Sequence, residues 1–150
     1  TPYQLTELAR RDAMNNTILV AVTDIFFYTK VRDALRPQGY TLERIRSQDE
    51  VAEKTASASP AALILNMNDL AIDAFKALET LQADPALRSL PILAFANHEE
   101  TDTWRRAKEL GVTKIVSRNE FSTRTRELVE DIIANSSQQS PVRSELNAEG

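Results

Sequence analysis

Apolar positions fall along the chain in two alternating rhythms. Thr17–Thr23 (TILVAVT) is a continuous apolar run rich in β-branched residues, the pattern of a parallel strand covered on both faces. Phe27, Val31, Ala34 and Leu35 then recur at helical spacing, and Pro37-Gln38-Gly39 stops that helix. Tyr40–Arg46 alternates as a half-exposed strand does. Asp49 is expected to cap a short helix reaching about Ala58, with Val51, Ala52 and Thr55 inward and Pro60 ending it. Ala61–Met67 reads as the third strand, and Ile72, Phe75, Leu78, Glu79 and Leu81 mark a helix closed by Asp84-Pro85. Pro91–Ala96 follows as the fourth strand. Thr103, Trp104, Ala107 and Leu110 give a helix that Gly111 terminates. Val112–Ser117 is the fifth strand, and Phe121, Leu128, Val129, Ile132 and Ile133 form the last helix.

Five strands alternating with five helices at these lengths predict a three-layer α/β sandwich. Its core is a doubly wound parallel sheet, (βα)5, and right-handed crossovers favour strand order 2-1-3-4-5. The two ends differ from this repeat. Tyr3, Leu5, Leu8, Ala9, Ala13 and Met14 make one helical stripe, so residues 1–16 are expected to form a helical extension. Residues 135–150 are polar, carry Pro141 and are expected to be a flexible tail. That leaves 17–134 as the ordered domain.

Composition narrows the chemistry. No cysteine among the 150 residues means no disulfide, no thiolate nucleophile and no cysteine-ligated metal, and one histidine, His98, makes a multi-histidine metal site impossible within one chain. The formal net charge of −4 argues against general nucleic-acid binding. The apolar runs fall far short of the ~20 residues a membrane span needs. Residues 1–16 lack the apolar middle of a signal peptide, so a cytoplasmic protein without membrane contact is expected.

In a sheet of this kind ligands sit beyond the carboxyl ends of the strands. The residues there are Val22-Thr23-Asp24, Asn66-Met67-Asn68-Asp69, Ala96-Asn97-His98 and Ser117-Arg118-Asn119. The order and spacing of these segments, with the signposts Gly39, Pro91 and Gly111 and the run ADPALRSLPILAFANHEETDTWRRAKELGVTKIVSRNEF, resemble the receiver domain of two-component response regulators over about 17–134. The resemblance implies a flavodoxin-like, receiver-like fold. It also implies two acidic residues after the first strand to hold Mg²⁺, a phosphoacceptor Asp after the third, a Ser/Thr after the fourth and a Lys after the fifth. This chain departs at most of those positions. The acidic pair falls on Val22 and Thr23, or with a shift of one on Thr23 and Asp24; the acceptor position holds Asn66, the hydroxyl position Ala96 and the Lys position Arg118. An amide is not a nucleophile towards a phosphodonor, Mg²⁺ prefers carboxylate oxygens, and alanine has no hydroxyl to offer a phosphoryl oxygen. The expectation is a pseudo-receiver, non-enzymatic and without cofactor or metal, acting through protein–protein contacts in signalling. Its partner would be a histidine kinase or another signalling protein. Two alternatives stay open: a sensor of a small anion or metabolite in the former phosphate pocket, and an unusual phospho-accepting regulator motivated by Asp24 and Asp69.

Other residues admit two readings each. Asp24 either pairs with Arg118 or caps the helix beginning near Ile25. Asn66 and Asn68 are expected to satisfy loop backbone groups. His98, beside Glu99 and Glu100, is expected to be solvated or capping rather than a pH sensor. Three successive aromatics, Phe26, Phe27 and Tyr28, are unlike the small residues of a phosphate-binding loop, and they cannot all face the core. Trp104, Arg105, Lys108, Arg118 and Arg124 form a candidate interaction surface along the fourth helix, fifth strand and fifth helix, suited to a homodimer. The other reading of that face is a solvated surface with Trp104 packed under the loop.

Overall fold

Three of the apolar runs become the middle of a five-stranded parallel sheet in the order β2-β1-β3-β4-β5. The structure, a computed structural model, describes residues 16–138. Its elements are β1 (Thr17–Ala21), α1 (Ile25–Leu35) with a 3₁₀ turn at Arg36–Gln38, β2 (Thr41–Arg44) and α2 (Glu50–Ala58). They continue through β3 (Ala62–Asn66), α3 (Ala74–Ala83), β4 (Ile92–Ala96), α4 (Thr101–Glu109), β5 (Lys114–Ser117) and α5 (Arg118–Gln138). Ile18 lies beside Ala62, Leu63 beside Ile92 and Leu93 beside Lys114, so the strand ends that matter for a site are brought level. The expected architecture and strand order are those observed.

Side chains alternate across the sheet and build two apolar layers. Ile18, Val20, Ile64, Leu93 and Phe95 face α1 and α5, where they meet Val31, Leu35, Phe121, Leu128 and Ile132. Leu19, Leu63, Leu65, Ile92 and Ala94 face α2, α3 and α4, where they meet Val51, Leu78, Leu81 and Ala107. In the first layer Phe27, Phe95 and Phe121 stack, with ring centroids 4.5–5.5 Å apart. The central strands are buried on both sides, which is why they read as unbroken apolar runs. β2 lies at an edge, which explains its mixed pattern.

Several local expectations are corrected. Asp49 occupies the position before α2 but forms no cap, because its backbone is already helical; instead the Glu50 carboxylate accepts from the Arg46 N–H at 2.7 Å. Ile72 is buried but precedes α3, whose cap is Asp73, accepting from the Lys76 N–H. Glu79 lies on the outer face of α3, 3.8 Å from Arg106. The last helix starts at Arg118 and kinks at Arg124 (φ −125°, ψ 32°). The Thr123 and Thr125 hydroxyls there donate back to the carbonyls of Asn119 and Phe121, a pattern that bends helices. The chain stops at Gly39 and Gly111 need left-handed φ, 95° and 96°, as glycine allows. The helix expected over residues 1–16 lies outside the described residues apart from Asn16. The α5 backbone continues to Gln138, and the rest of the expected tail again lies outside them. Among the described residues no helix is long and apolar enough to cross a membrane.

Candidate functional site

The site is built from four strand ends and the loops after them. β1 closes on Ala21, and Val22 is fully buried in the α1/α5 layer, so the first position of the expected acidic pair is part of the core. Thr23 is half-buried and turns the other way. Asp24 caps α1, accepting from the N–H groups of Phe26 (2.9 Å) and Phe27 (3.3 Å). Of its two readings, the cap is the one formed; no Asp24–Arg118 ion pair occurs among the described residues. The capped helix turns Phe27 inward and leaves Phe26 83% exposed.

Asp69 reaches across to the loop after β1. From the β3–α3 loop it accepts from the Thr23 N–H (2.8 Å) and hydroxyl (2.9 and 3.0 Å), and from the N–H groups of Ala71 and Ile72 (3.0 Å each). Arg44, at the end of β2, donates from Nη2 to the Thr23 carbonyl at 2.6 Å, while its guanidinium lies 5.3 Å from the Tyr28 ring centre. Its Nε is buried without a partner.

Asn66 ends β3 with 5% of its surface exposed, and its Oδ1 accepts from the Asn68 N–H at 2.9 Å. Asn68 in turn reaches the β4–α4 loop: its Oδ1 accepts from the Asn97 N–H, and its Nδ2 donates to Glu100, both at 3.0 Å. Glu100 also accepts from Asn97 Nδ2 (3.0 Å) and the Thr103 hydroxyl (3.1 Å), and the Trp104 indole N–H donates to the Asn97 carbonyl at 3.0 Å. These bonds, that from Asn97 foremost and that from Asn68 next, hold the Glu100 carboxyl below the usual glutamate range. Both asparagines therefore satisfy loop backbone, as expected. Ala96, which ends β4, is fully buried.

After β5, the Ser117 hydroxyl accepts from the Glu120 N–H and caps α5. The Arg118 guanidinium lies 5.0 Å from the centre of Phe27 and 5.7 Å from that of Phe95. A cleft of about 530 Å³ results, lined by Thr23, Asp24, Asn66, Asn68, Asp69, Leu70 and Arg118. Leu70 is fully exposed on its wall, and Ile25 and Phe26 are exposed at the start of α1.

Four of the sequence-derived pocket residues (Thr23, Asp24, Asn66 and Arg118) thus meet in one cleft, whereas Val22 and Ala96 lie in the core beside it. The candidate surface divides. Trp104, Arg105 and Lys108 are on α4, with Trp104 packed on the α2/α3/α4 layer, and Arg118 is on the opposite side against Phe27. Arg124 binds Glu120 (3.0 Å) and Glu127 (3.2 Å) of its own helix, and Arg105 binds Asp102 (3.2 Å). His98 is solvated, 4.0 Å from Glu99. The Mg²⁺ that the resemblance implies does not fit these residues. Asp24 is turned to a helix cap, Asp69 already accepts from three N–H groups and a hydroxyl, and no cluster of three acidic or histidine side chains occurs among the described residues. The sequence pointed least to Arg44, Asp69 and Glu100. Asp69 had one local signal, a carboxylate two and three residues before apolar positions whose N–H groups it can accept.

No protein-family model and no curated protein matches the sequence. Solved structures do. A protein of Chloroflexus aurantiacus J-10-fl assigned as a candidate response regulator superposes with a TM-score of 0.71 at 22% identity, over 79% of this chain and 97% of its own. The receiver domain of a signal transduction histidine kinase from Syntrophus aciditrophicus gives 0.71 at 16%, over 83% and 95%. The receiver domain of a response regulator from Bermanella marisrubri gives 0.71 at 14%, over 79% and 98%. The chain therefore has the receiver fold of signal-transduction proteins, five parallel strands in the order 2-1-3-4-5 with five helices.

Proposed function

We propose that this domain, spanning about residues 17–134, is a pseudo-receiver: a non-enzymatic signalling module that works by protein–protein contact without an aspartyl phosphate. One observation carries the reading. The residue ending β3 is an amide, Asn66, and the nearest carboxylate on that loop, Asp69, is held by donors from two loops. A carboxylate engaged in this way presents no free oxygen to attack a phosphodonor. Contact surfaces consistent with a protein partner are the exposed Phe26 and Leu70 at the cleft, and the α4 face with Trp104, Arg105 and Lys108. A histidine kinase, another signalling protein or a second copy of the chain are the partner classes that fit. Incubation with acetyl phosphate and Mg²⁺ is expected to leave the intact mass unchanged. A stoichiometric, hydroxylamine-labile phosphoryl adduct on Asp24 or Asp69 refutes the proposal.

A second reading has its own observation. Arg118 forms no ion pair among the described residues and lines the cleft with the 95%-buried Asn66, so a small anion or metabolite would meet a cation and an amide there. Thermal stabilisation by a carboxylate or phosphate that disappears in Arg118→Ala would favour this sensor over the contact module.

A further inference from the structure

Away from the cleft, a groove of about 180 Å³ lies between the C-terminal half of α1 and the edge strand β2. Tyr28, Arg32, Arg36, Tyr40, Thr41 and Leu42 line it, and no carboxylate does. Arg32 and Arg36 are four residues apart and so project from the same side of α1 and its following turn. Arg36 forms no ion pair among the described residues. Arg32 meets only the exposed Asp33, through Nε at 3.6 Å, which leaves its terminal nitrogens free. Tyr40 and Leu42 face them from the strand side, and the Tyr28 ring is held under Arg44, a third cation with no carboxylate partner among the described residues. Burial, and then the charge of Glu130, push the Tyr40 phenol above its ordinary range, so it remains a donor through neutral pH. The acids that face this region are Asp33 and Glu130.

We propose that this groove is a binding site for a phosphoryl oxyanion, taken as free phosphate or as a phosphate monoester, with Arg32 and Arg36 as its principal ligands. Donors stand on two walls, two guanidinium groups on the helix and the Tyr40 phenol beside the strand. That arrangement suits a tetrahedral group with oxygens pointing several ways better than a planar carboxylate, which one arginine fork satisfies alone. The site is at the C-terminal end of α1, where the helix dipole does not favour an anion. Binding must therefore come from the side chains, and removing one should be felt in full.

The test is a titration of inorganic phosphate into the full chain at constant ionic strength, followed by amide chemical shifts. Saturable shifts centred on Arg32, Arg36 and Thr41 are expected, with acetate at least several-fold weaker. Arg36→Gln should weaken phosphate roughly ten-fold or more, as loss of a charge-assisted contact does. Arg88→Gln, in the exposed loop after α3, should leave it unchanged. Glycerol 3-phosphate run in parallel separates the two sources: tighter binding than phosphate marks a monoester site, equal or weaker binding a free-phosphate site. Non-saturating shifts, an Arg36→Gln affinity within two-fold of the parent, or shifts centred on Asn66 and Arg118 would overturn the proposal. The last result would move the anion to the cleft and leave the contact-module reading to its own mass test.

Discussion

Replacing Asp69 with alanine removes the acceptor that joins the β1–α1 loop to the β3–α3 loop. Four donors lose it: the N–H groups of Thr23, Ala71 and Ile72 and the Thr23 hydroxyl. They do not all count equally. The Ala71 N–H is exposed and the hydroxyl can rotate, so water satisfies both at small cost. The Thr23 and Ile72 N–H groups are partly buried, and each stands to lose about 1 kcal/mol once no acceptor faces it. With the loss of charge assistance the total is about 2–3 kcal/mol. At a urea slope near 2 kcal/mol/M, that lowers the unfolding midpoint by about 1 M. The single tryptophan, Trp104, reports the transition without competing signals, and far-UV circular dichroism checks that both probes coincide. Thr23→Val keeps the N–H bond and deletes the hydroxyl, so it should cost about 0.5–1 kcal/mol. The double variant should cost less than the sum of the two, because the partners are shared. A loss below about 0.5 kcal/mol in Asp69→Ala, or strict additivity with Thr23→Val, would show that the two loops are not held by this carboxylate.

Glu100 has a lowered pKa, so its contribution is fully present above the ordinary glutamate value and is lost as pH falls through the lowered one. Trp104 fluorescence should therefore change below about pH 4.3, before global unfolding, and Glu100→Gln should abolish that early change; an identical acid profile in the variant contradicts the assignment. Gly111→Ala places a Cβ against the Gln82 side-chain amide at a left-handed φ and should lower stability by about 1–2 kcal/mol in thermal unfolding. Gly39→Ala meets no neighbouring atom and should lose only the conformational part, about 1 kcal/mol. Phe26→Ser with Leu70→Ser should leave the unfolding free energy within about 0.5 kcal/mol of the parent, since both side chains are exposed, while weakening capture of any partner that uses the cleft rim.

How much of this was legible in the sequence follows from which interactions are local. Strands β1, β3 and β4 announce themselves because burial on both faces demands an unbroken apolar run, and α1 because Asp24 caps it from the adjacent position. Asn66 bonds to an N–H two residues away, so its role too was readable. Asp69 and Thr23 are 46 residues apart, Asn68 and Glu100 32 apart, and Arg44 and Thr23 21 apart. No periodicity encodes such pairs; only the sheet register, which brings the strand ends level, makes them neighbours. Asp49 failed as a cap for the opposite reason. The residue type is right, but the preceding turn puts its backbone in the helical region, where its carboxylate cannot reach the first N–H groups.

The same register explains why the carboxyl edge holds one arrangement. Thr23 to Asp69 joins the first loop to the second, and Asn68 to Asn97 and Glu100 joins the second to the third. Trp104 then anchors the third loop to α4 through the Asn97 carbonyl. Several carboxylates side by side in such a pocket would repel one another until a cation or a proton relieved them, and the loops would then have two states to move between. Here the cleft's amides and its hydroxyl are engaged and its carboxylates face donors, so little negative charge is left to recruit a cation, while Arg118, the cation lining the cleft, forms no ion pair among the described residues. A loop whose partners are already satisfied shifts only if a ligand favours another arrangement by more than those bonds together. For a contact module that is an advantage. Phe26 and Leu70 are presented from capped, cross-tied segments, so a partner of the proposed module would meet an ordered apolar rim with little ordering entropy left to lose on binding.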